Sequence, residues 1–137
     1  MAFTQKAVVI DASAVVDMLV GLPGVAEQVT EIVAVTRELH APEILDLEVV
    51  SAIRSVVLRR LTTIDHATRL IASLATIPII RHSHQSLLTR VWQLRDNATA
   101  YDAAYLALAE QLDAPLVTRD ARLARAAGHR ARVRLVE

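Results

Sequence analysis

Ala7-Val8-Val9-Ile10-Asp11 is the stretch on which the reading of the chain turns. An unbroken, largely β-branched apolar run of this length forms a strand buried on both faces, as the strands of parallel sheets are. The run stops at a carboxylate. Carboxyl ends of strands in an open parallel sheet line the crevice where ligands bind, so Asp11 is expected on that edge. Pro115-Leu116-Val117-Thr118-Arg119-Asp120 repeats the arrangement, with a second buried strand leading to a second acid. Each Asp is equally placed to cap the helix that follows it, and for either acid alone capping is the simpler role.

Outward from β-like Ala7 to Ile10, helical patterning covers Ala12 to Leu19 and then Val25 to Leu39, with Gly21, Pro23 and Gly24 between them. A third helix is expected from about Pro42 to Leu61, since Pro suits a helix start and Glu43 and Asp46 favour its positive end. Thr62-Thr63-Ile64-Asp65 reads as a capping box for a helix that ends before Pro78, after which Ile79-Ile80 is a strand. Ser83 to Arg95 is read as a helix with Leu87, Leu88, Val91 and Trp92 at helical spacing, which puts Trp92 in the core. Further helices span Thr99 to Leu112 and Asp120 to Ala127, the latter closed by Gly128. Val133 and Leu135 alternate with Arg132 and Arg134 as a last, half-exposed strand. Strands separated by helices throughout predict an α/β layer fold with a mostly parallel sheet.

The chain has 137 residues, one domain's worth, and its 15 basic residues balance 15 acids. The balance is uneven along the chain: residues 1–50 hold Lys6 and Arg37 against eight acids, and residues 51–137 hold thirteen arginines against seven. Absence of cysteine excludes disulfides, thiolate metal sites and Cys nucleophiles, and fits a reducing compartment. The longest uncharged apolar stretch, Leu70 to Ile80, is too short for a bilayer and is broken by Pro78. Lys6 followed by Ala7 to Ile10 is too little for a signal-peptide core, so a cytoplasmic protein without a membrane partner is expected. Apolar residues make up 53%, an excess that predicts a covered surface, in a dimer or against a partner.

Two more acids occupy awkward places. Glu48 lies one helical turn from Ile44 and from Ala52, on or beside an apolar face, where a carboxylate needs a partner. Arg54 and Arg59 share its helix but not at a spacing of three or four. Asp102 completes a capping box with Thr99 yet shares a face with Leu106 and Ala109. Four carboxylates gathered at one crevice would repel one another, and a hard divalent cation is the usual remedy. An oxygen-only set without His or Cys suits Mg2+ or Mn2+ rather than zinc, and such an ion supports phosphodiester hydrolysis.

Four segments carry a family resemblance: Val8-Val9-Ile10-Asp11-Ala12-Ser13, Ala41-Pro42-Glu43-Ile44-Leu45-Asp46-Leu47-Glu48, Thr99 through Glu110 with Tyr101-Asp102-Ala103 at its head, and Pro115 to Asp120. In order and spacing they resemble the PIN-domain family, most closely its VapC-type toxins, over essentially the whole chain. The resemblance implies a single nuclease domain over 1–137, a three-layer α/β/α sandwich with a roughly five-stranded, mostly parallel sheet. It implies a Mg2+-dependent endoribonuclease, the toxin of a toxin–antitoxin pair, acting as a homodimer or a dimer of heterodimers. An adjacent antitoxin, and not this chain, would contact DNA. Position by position, Asp11, Glu48, Asp102 and Asp120 match the family's acidic quartet, and Ser13 and Thr118 match its supporting hydroxyls. Asp46 is the rival to Glu48, but two residues along a helix point to nearly opposite sides.

Other chemistries fit less well. A phosphoacceptor receiver domain needs a late lysine, and the only lysine is Lys6; a haloacid-dehalogenase-like phosphatase needs an acid where Ser13 stands. Phosphate-binding glycine loops and nucleophile elbows are absent. The five histidines, His82 and His84 among them, show no ligand pattern and read as ordinary polar residues. A non-catalytic module that serves as a co-repressor with its antitoxin remains the alternative. Arg119 and Arg122, flanking the last acid, are candidate phosphate contacts, whereas Arg130, Arg132 and Arg134 share one face of the last strand, either as edge protection or as an RNA contact. With four aromatic residues in all, little base stacking is expected.

Overall fold

The run that opens the reading becomes β1 (Ala7–Ile10), and Val8, Val9 and Ile10 are buried to within about 1% of zero exposure. The computed structural model describes residues 6–137. After β1 come α1 (Ala12–Val20), α2 (Val25–Ala34), β2 (Glu38–Pro42), α3 (Ile44–Leu58), α4 (Ile64–Leu74) and β3 (Ile79–His82). A 3-10 turn (Gln85–Leu87) leads into α5 (Leu88–Gln93), followed by α6 (Ala100–Leu112), β4 (Leu116–Thr118), α7 (Ala121–Ala124) and β5 (Val133–Leu135). The five strands form one sheet in the order β3-β2-β1-β4-β5, every pair parallel.

That order fixes the layers. Right-handed crossovers carry α1 to α4 over one face as the chain steps from β1 to β2 to β3, and the return across the sheet puts α5 and α6 on the other. The packing agrees: α1 to α4 contact one another, while α5 packs on α6 and α6 lies against β1, β2 and β4. Successive connections leave β1 and β4 in opposite directions, so the crevice between their carboxyl ends is the topological switch point of the sheet.

Several boundaries depart from the sequence reading. The helix expected over Val25 to Leu39 ends at Ala34, and β2 takes residues 38–42. Leu39, His40 and Ala41 are buried on both faces and too short a run to show a period, which is why a strand hid in an apparent helix. Pro42 is the last residue of that strand rather than a helix start; Glu43 N donates to His82 O at 2.9 Å, and α3 begins at Ile44. The cap of α4 is Thr63, accepting from His66 N at 3.1 Å, one residue later than the expected box. α7 stops at Ala124, well before Gly128, whose φ of +82° closes a later turn against Asn97.

Trp92 is not core. The inward stripe of the α5 region is Leu87, Val91 and Leu94, and Leu88 and Trp92, about 100° around the helix, point outward. Trp92 is 68% exposed. Nor are all the histidines bystanders: on neighbouring β2 and β3, His40 Nδ1 and His82 Nε2 lie 2.8 Å apart, and His40 Nε2 lies 3.1 Å from Glu38. Burial, with the neighbouring His40, holds the His82 imidazole below its ordinary pKa.

The arginine-rich tail and α6 are tied by Glu110. Its carboxylate, with a side chain 6% exposed, accepts from Arg90 Nε at 2.8 Å and Nη2 at 2.9 Å and from Arg130 N at 3.0 Å. Arg132 Nη2 donates to Asp113 O at 2.9 Å. Arg130 and Arg132 therefore hold β5 to the end of α6. The Arg90 fork is the main reason the Glu110 pKa lies below the ordinary carboxylate value. A depressed folded-state pKa gives stability that is complete above the unfolded value, about 4.3, and is lost as pH falls through the folded one. Glu110→Gln is expected to cost about 2 kcal/mol at pH 7 by urea denaturation. The gap to wild type should close as pH falls below about 4.3; a gap independent of pH down to 3 would show that the ion pair is not its source.

Candidate active site

Asp11 follows β1 directly, and its extended backbone makes it the N-cap of α1. Its Oδ1 accepts from Ala14 N at 3.0 Å and from Ser13 Oγ at 2.7 Å, and its Oδ2 accepts from the Thr118 hydroxyl. Asp11 is thus both the cap of α1 and the junction between β1 and the end of β4. Both hydroxyls also accept: Ser13 Oγ from Arg119 N at 3.0 Å, Thr118 Oγ1 from Asp120 N at 2.9 Å. Two successive amides of the β4–α7 loop are in this way relayed through two hydroxyls onto one carboxylate. A carboxylate has about four acceptor positions, so the protein's three donors leave one open.

Despite those donors, burial raises the Asp11 pKa, with the Asp120 charge adding to it. Asp120 follows β4, caps α7 through Oδ1 on Arg122 N at 2.9 Å, and keeps Oδ2 free of backbone. Asp102 stands in the first turn of α6, whose cap is Thr99, accepting from Asp102 N at 3.1 Å. Its pKa is raised by burial first and by Asp120 second. Glu48, on α3, is likewise raised by burial, and the charges of Asp102 and Asp11 push it further. Asp11, Glu48 and Asp102 therefore each feel at least one other acid.

Their compensation is slight. Glu48 makes no pair with Arg54 or Arg59 among the described residues; its partner is Tyr105, whose hydroxyl donates to Oε1 at 2.7 Å. Tyr105 is buried and its pKa driven far up, by burial first and Glu48 second, so it stays a donor. The sequence reading missed it, although its place three residues after Asp102 on one helix face was visible. Arg122, with a side chain 77% exposed, lies 3.5 Å from Asp120 and 3.9 Å from Asp102, too exposed to neutralise two acids. Among the described residues no three His, Cys, Asp or Glu side chains stand as a ready-made ligand cage.

The rival acid is elsewhere: Asp46 takes a fork from Arg81 at 2.7 and 2.8 Å. Arg119 does not join the site as a phosphate contact. Its guanidinium is spent on Asp17, at 2.6 Å, and on Val136 O, at 3.2 Å, because its amide is already fixed on Ser13 and turns the side chain toward α1. Arg122 does face the site, on the wall of a depression of about 380 Å3 that Asp102, Thr99 and Arg95 also line.

Comparison with known proteins agrees with this geometry. A PIN domain family model matches residues 8–129. "Ribonuclease VapC12" of Mycobacterium tuberculosis is 38% identical over 134 residues, covering 94% of this chain and 98% of that protein. "Ribonuclease VapC1" of the same species is 40% identical over 129 residues, covering 93% and 96%. Among solved structures, that of VapBC2 from Rickettsia felis bound to a promoter DNA fragment superposes with a TM-score of 0.68 at 8% identity, covering 96% of this chain and 100% of the other. PAE2754 from Pyrobaculum aerophilum gives 0.60 at 22% identity, covering 88% and 85%. At those identities the structural likeness speaks to the fold alone. Together with the sequence relatives it leads to one conclusion: the chain belongs to the PIN-domain family and is of its VapC type.

Proposed function

We propose that residues 1–137 act as one endoribonuclease domain that depends on a divalent cation, the toxin of a toxin–antitoxin pair. The observation that carries the proposal is the quartet itself: Asp11, Glu48 and Asp102 all have pKa values raised by burial and by other members' charges, with hydroxyls and one exposed arginine as their counterweight. Perturbed carboxylates of this kind cluster at functional sites, which capping alone does not explain. The ribonuclease names of relatives at 38% and 40% identity support the same reading.

The donor set fits a hard cation. Asp11 keeps one acceptor position open, Glu48 has the oxygen that Tyr105 does not use, and Asp120 has an oxygen clear of its cap. Oxygen-only donors suit Mg2+ or Mn2+. Bound there, such an ion would lower the pKa of a water and stabilise charge on a phosphate. The chain's own residues do the rest. Ser13 and Thr118 hold the Asp11 carboxylate in one rotamer, Tyr105 aims Glu48, and Arg122 draws the RNA phosphate toward Asp102 and Asp120.

The groove between α3 and α4 suits the antitoxin. Leu58 and Ile64 are 63% and 72% exposed there, beside Val50 and Ile71, in keeping with a surface covered by an amphipathic segment. On this reading the antitoxin carries the DNA-binding fold and the pair assembles as a dimer in the cytoplasm. No single helix among the described residues is long and apolar enough to cross a membrane.

Cleavage of RNA should stop on chelation and return with Mg2+ or Mn2+. Asp11→Asn and Asp102→Asn should lose about a hundredfold or more, the scale of a lost preorganised stabiliser, Asp120→Asn the least of the quartet, and Asp46→Asn little. Full activity in excess chelator, or unchanged rates in the Asp11 and Asp102 variants, would favour the non-catalytic co-repressor. Stability separates the roles independently. Without metal, Asp102→Asn and Glu48→Gln should melt at or above the wild-type temperature, because each removes a half-buried like charge. Thr118→Val, which orphans both Asp11 Oδ2 and Asp120 N, should cost about 1–3 kcal/mol. Destabilisation by both amide variants would make those acids structural.

A further inference from the structure

Trp92, the chain's one tryptophan, is 68% exposed on a helix whose neighbouring stripe is fully packed. The Arg95 guanidinium lies 4.8 Å from its ring centroid, and Arg95 Nη1 also donates to Trp92 O at 3.0 Å, so the cation is held beside the indole from two directions. The depression under Trp92, formed with Leu88, Val91 and Ala100, has about the same volume as the one beside Asp102, about 380 Å3. The two share Arg95, Ala98 and Thr99 as walls. The two depressions therefore adjoin across these residues, one bearing the indole face and the other Asp102 and Arg122.

The two depressions differ in the way the parts of a nucleotide do. One holds Asp102 and the Arg122 guanidinium, which suits a phosphate; in the other an aromatic plane lies beside a second guanidinium. Single-stranded nucleic acid is bound in this manner, by cations that follow its backbone and aromatic faces on which bases stack, each stack strengthening binding roughly tenfold or more. A second copy of the chain would find the same exposed indole, but it would have to bury Arg95 and Arg122 against a surface with matching acids. RNA brings the complementary charge with it.

We propose that Trp92, with Arg95, is the base-stacking platform for a nucleotide flanking the scissile phosphate, which makes it a determinant of affinity for unpaired RNA. The proposal rests on the ribonuclease reading above. It departs from the expectation that stacking contributes little: one aromatic residue suffices when it stands beside the depression that holds Asp102 and Arg122.

The single tryptophan is also the reporter. A short single-stranded oligoribonucleotide, added to the full chain in EDTA so that it is not cut, should quench the indole fluorescence saturably, and the same sequence as a duplex should not. Trp92→Ala should weaken binding of that oligonucleotide about tenfold by anisotropy of a dye on the RNA, and Trp92→Phe should restore most of it. With Mg2+, Trp92→Ala should raise KM about tenfold and leave kcat near wild type, with sedimentation unchanged. Unquenched fluorescence together with unaltered KM in Trp92→Ala would overturn the platform while metal-dependent cleavage by the wild type left the ribonuclease reading standing. Quenching by RNA without any cleavage would uphold the platform and fail the catalytic reading. Dissociation of Trp92→Ala into a smaller species, with RNA affinity lost only in step with it, would assign the indole to an interface between copies and overturn the proposal.

Discussion

The Asp11 carboxylate is the point on which the molecule depends. It caps α1, receives two hydroxyls from β4 and its own helix, and through them gathers the amides of Arg119 and Asp120. The sheet reverses its winding between β1 and β4, and a switch point of this kind is where the carboxyl ends of an open parallel sheet leave a crevice. The hydrogen bonds stitch that crevice shut at its base. Glu48, Asp102 and Asp120 are each delivered by a different element, and their charges link them to Asp11: Asp120 acts on Asp11 and Asp102, and Asp102 and Asp11 act on Glu48.

Rigidity at Asp11 and strain among the charges are two sides of one design. Donors fix one carboxylate, while burial and mutual repulsion raise the pKa values of Asp11, Glu48 and Asp102. An unpaired buried charge is costly, and perturbed carboxylates of this kind cluster at functional sites. Arg81, Arg90 and Arg119 show the contrast: each takes a carboxylate partner at 2.6 to 2.8 Å outside the quartet. The chain has cations enough, and it spends them elsewhere.

Much of this was legible in the residues, and the rest was hidden for physical reasons. β1, β4 and their terminal acids could be read because a doubly buried parallel strand has a continuous apolar signature. β2 could not, since Leu39-His40-Ala41 carries a polar residue whose burial is licensed by His82 on a neighbouring strand, a contact with no trace in local sequence. Trp92 was misplaced because the α5 region offers two apolar stripes and spacing alone does not say which meets α6. Tyr105 was overlooked as one apolar position among many in a helix buried nearly all round. Arg119 sat beside the right acid but its backbone, already tied to Ser13, sends the guanidinium the other way.

If the quartet is held with its charges unrelieved so that it can share a cation, the cation must bind without substrate. Isothermal titration of Mn2+ into the metal-free wild type and into Asp102→Asn at pH 7.5 tests this directly. Saturable binding to the wild type is expected, weakened at least about tenfold by Asp102→Asn, the cost of losing one charged ligand. Equal Mn2+ affinity in both proteins, or no binding to either, would contradict it.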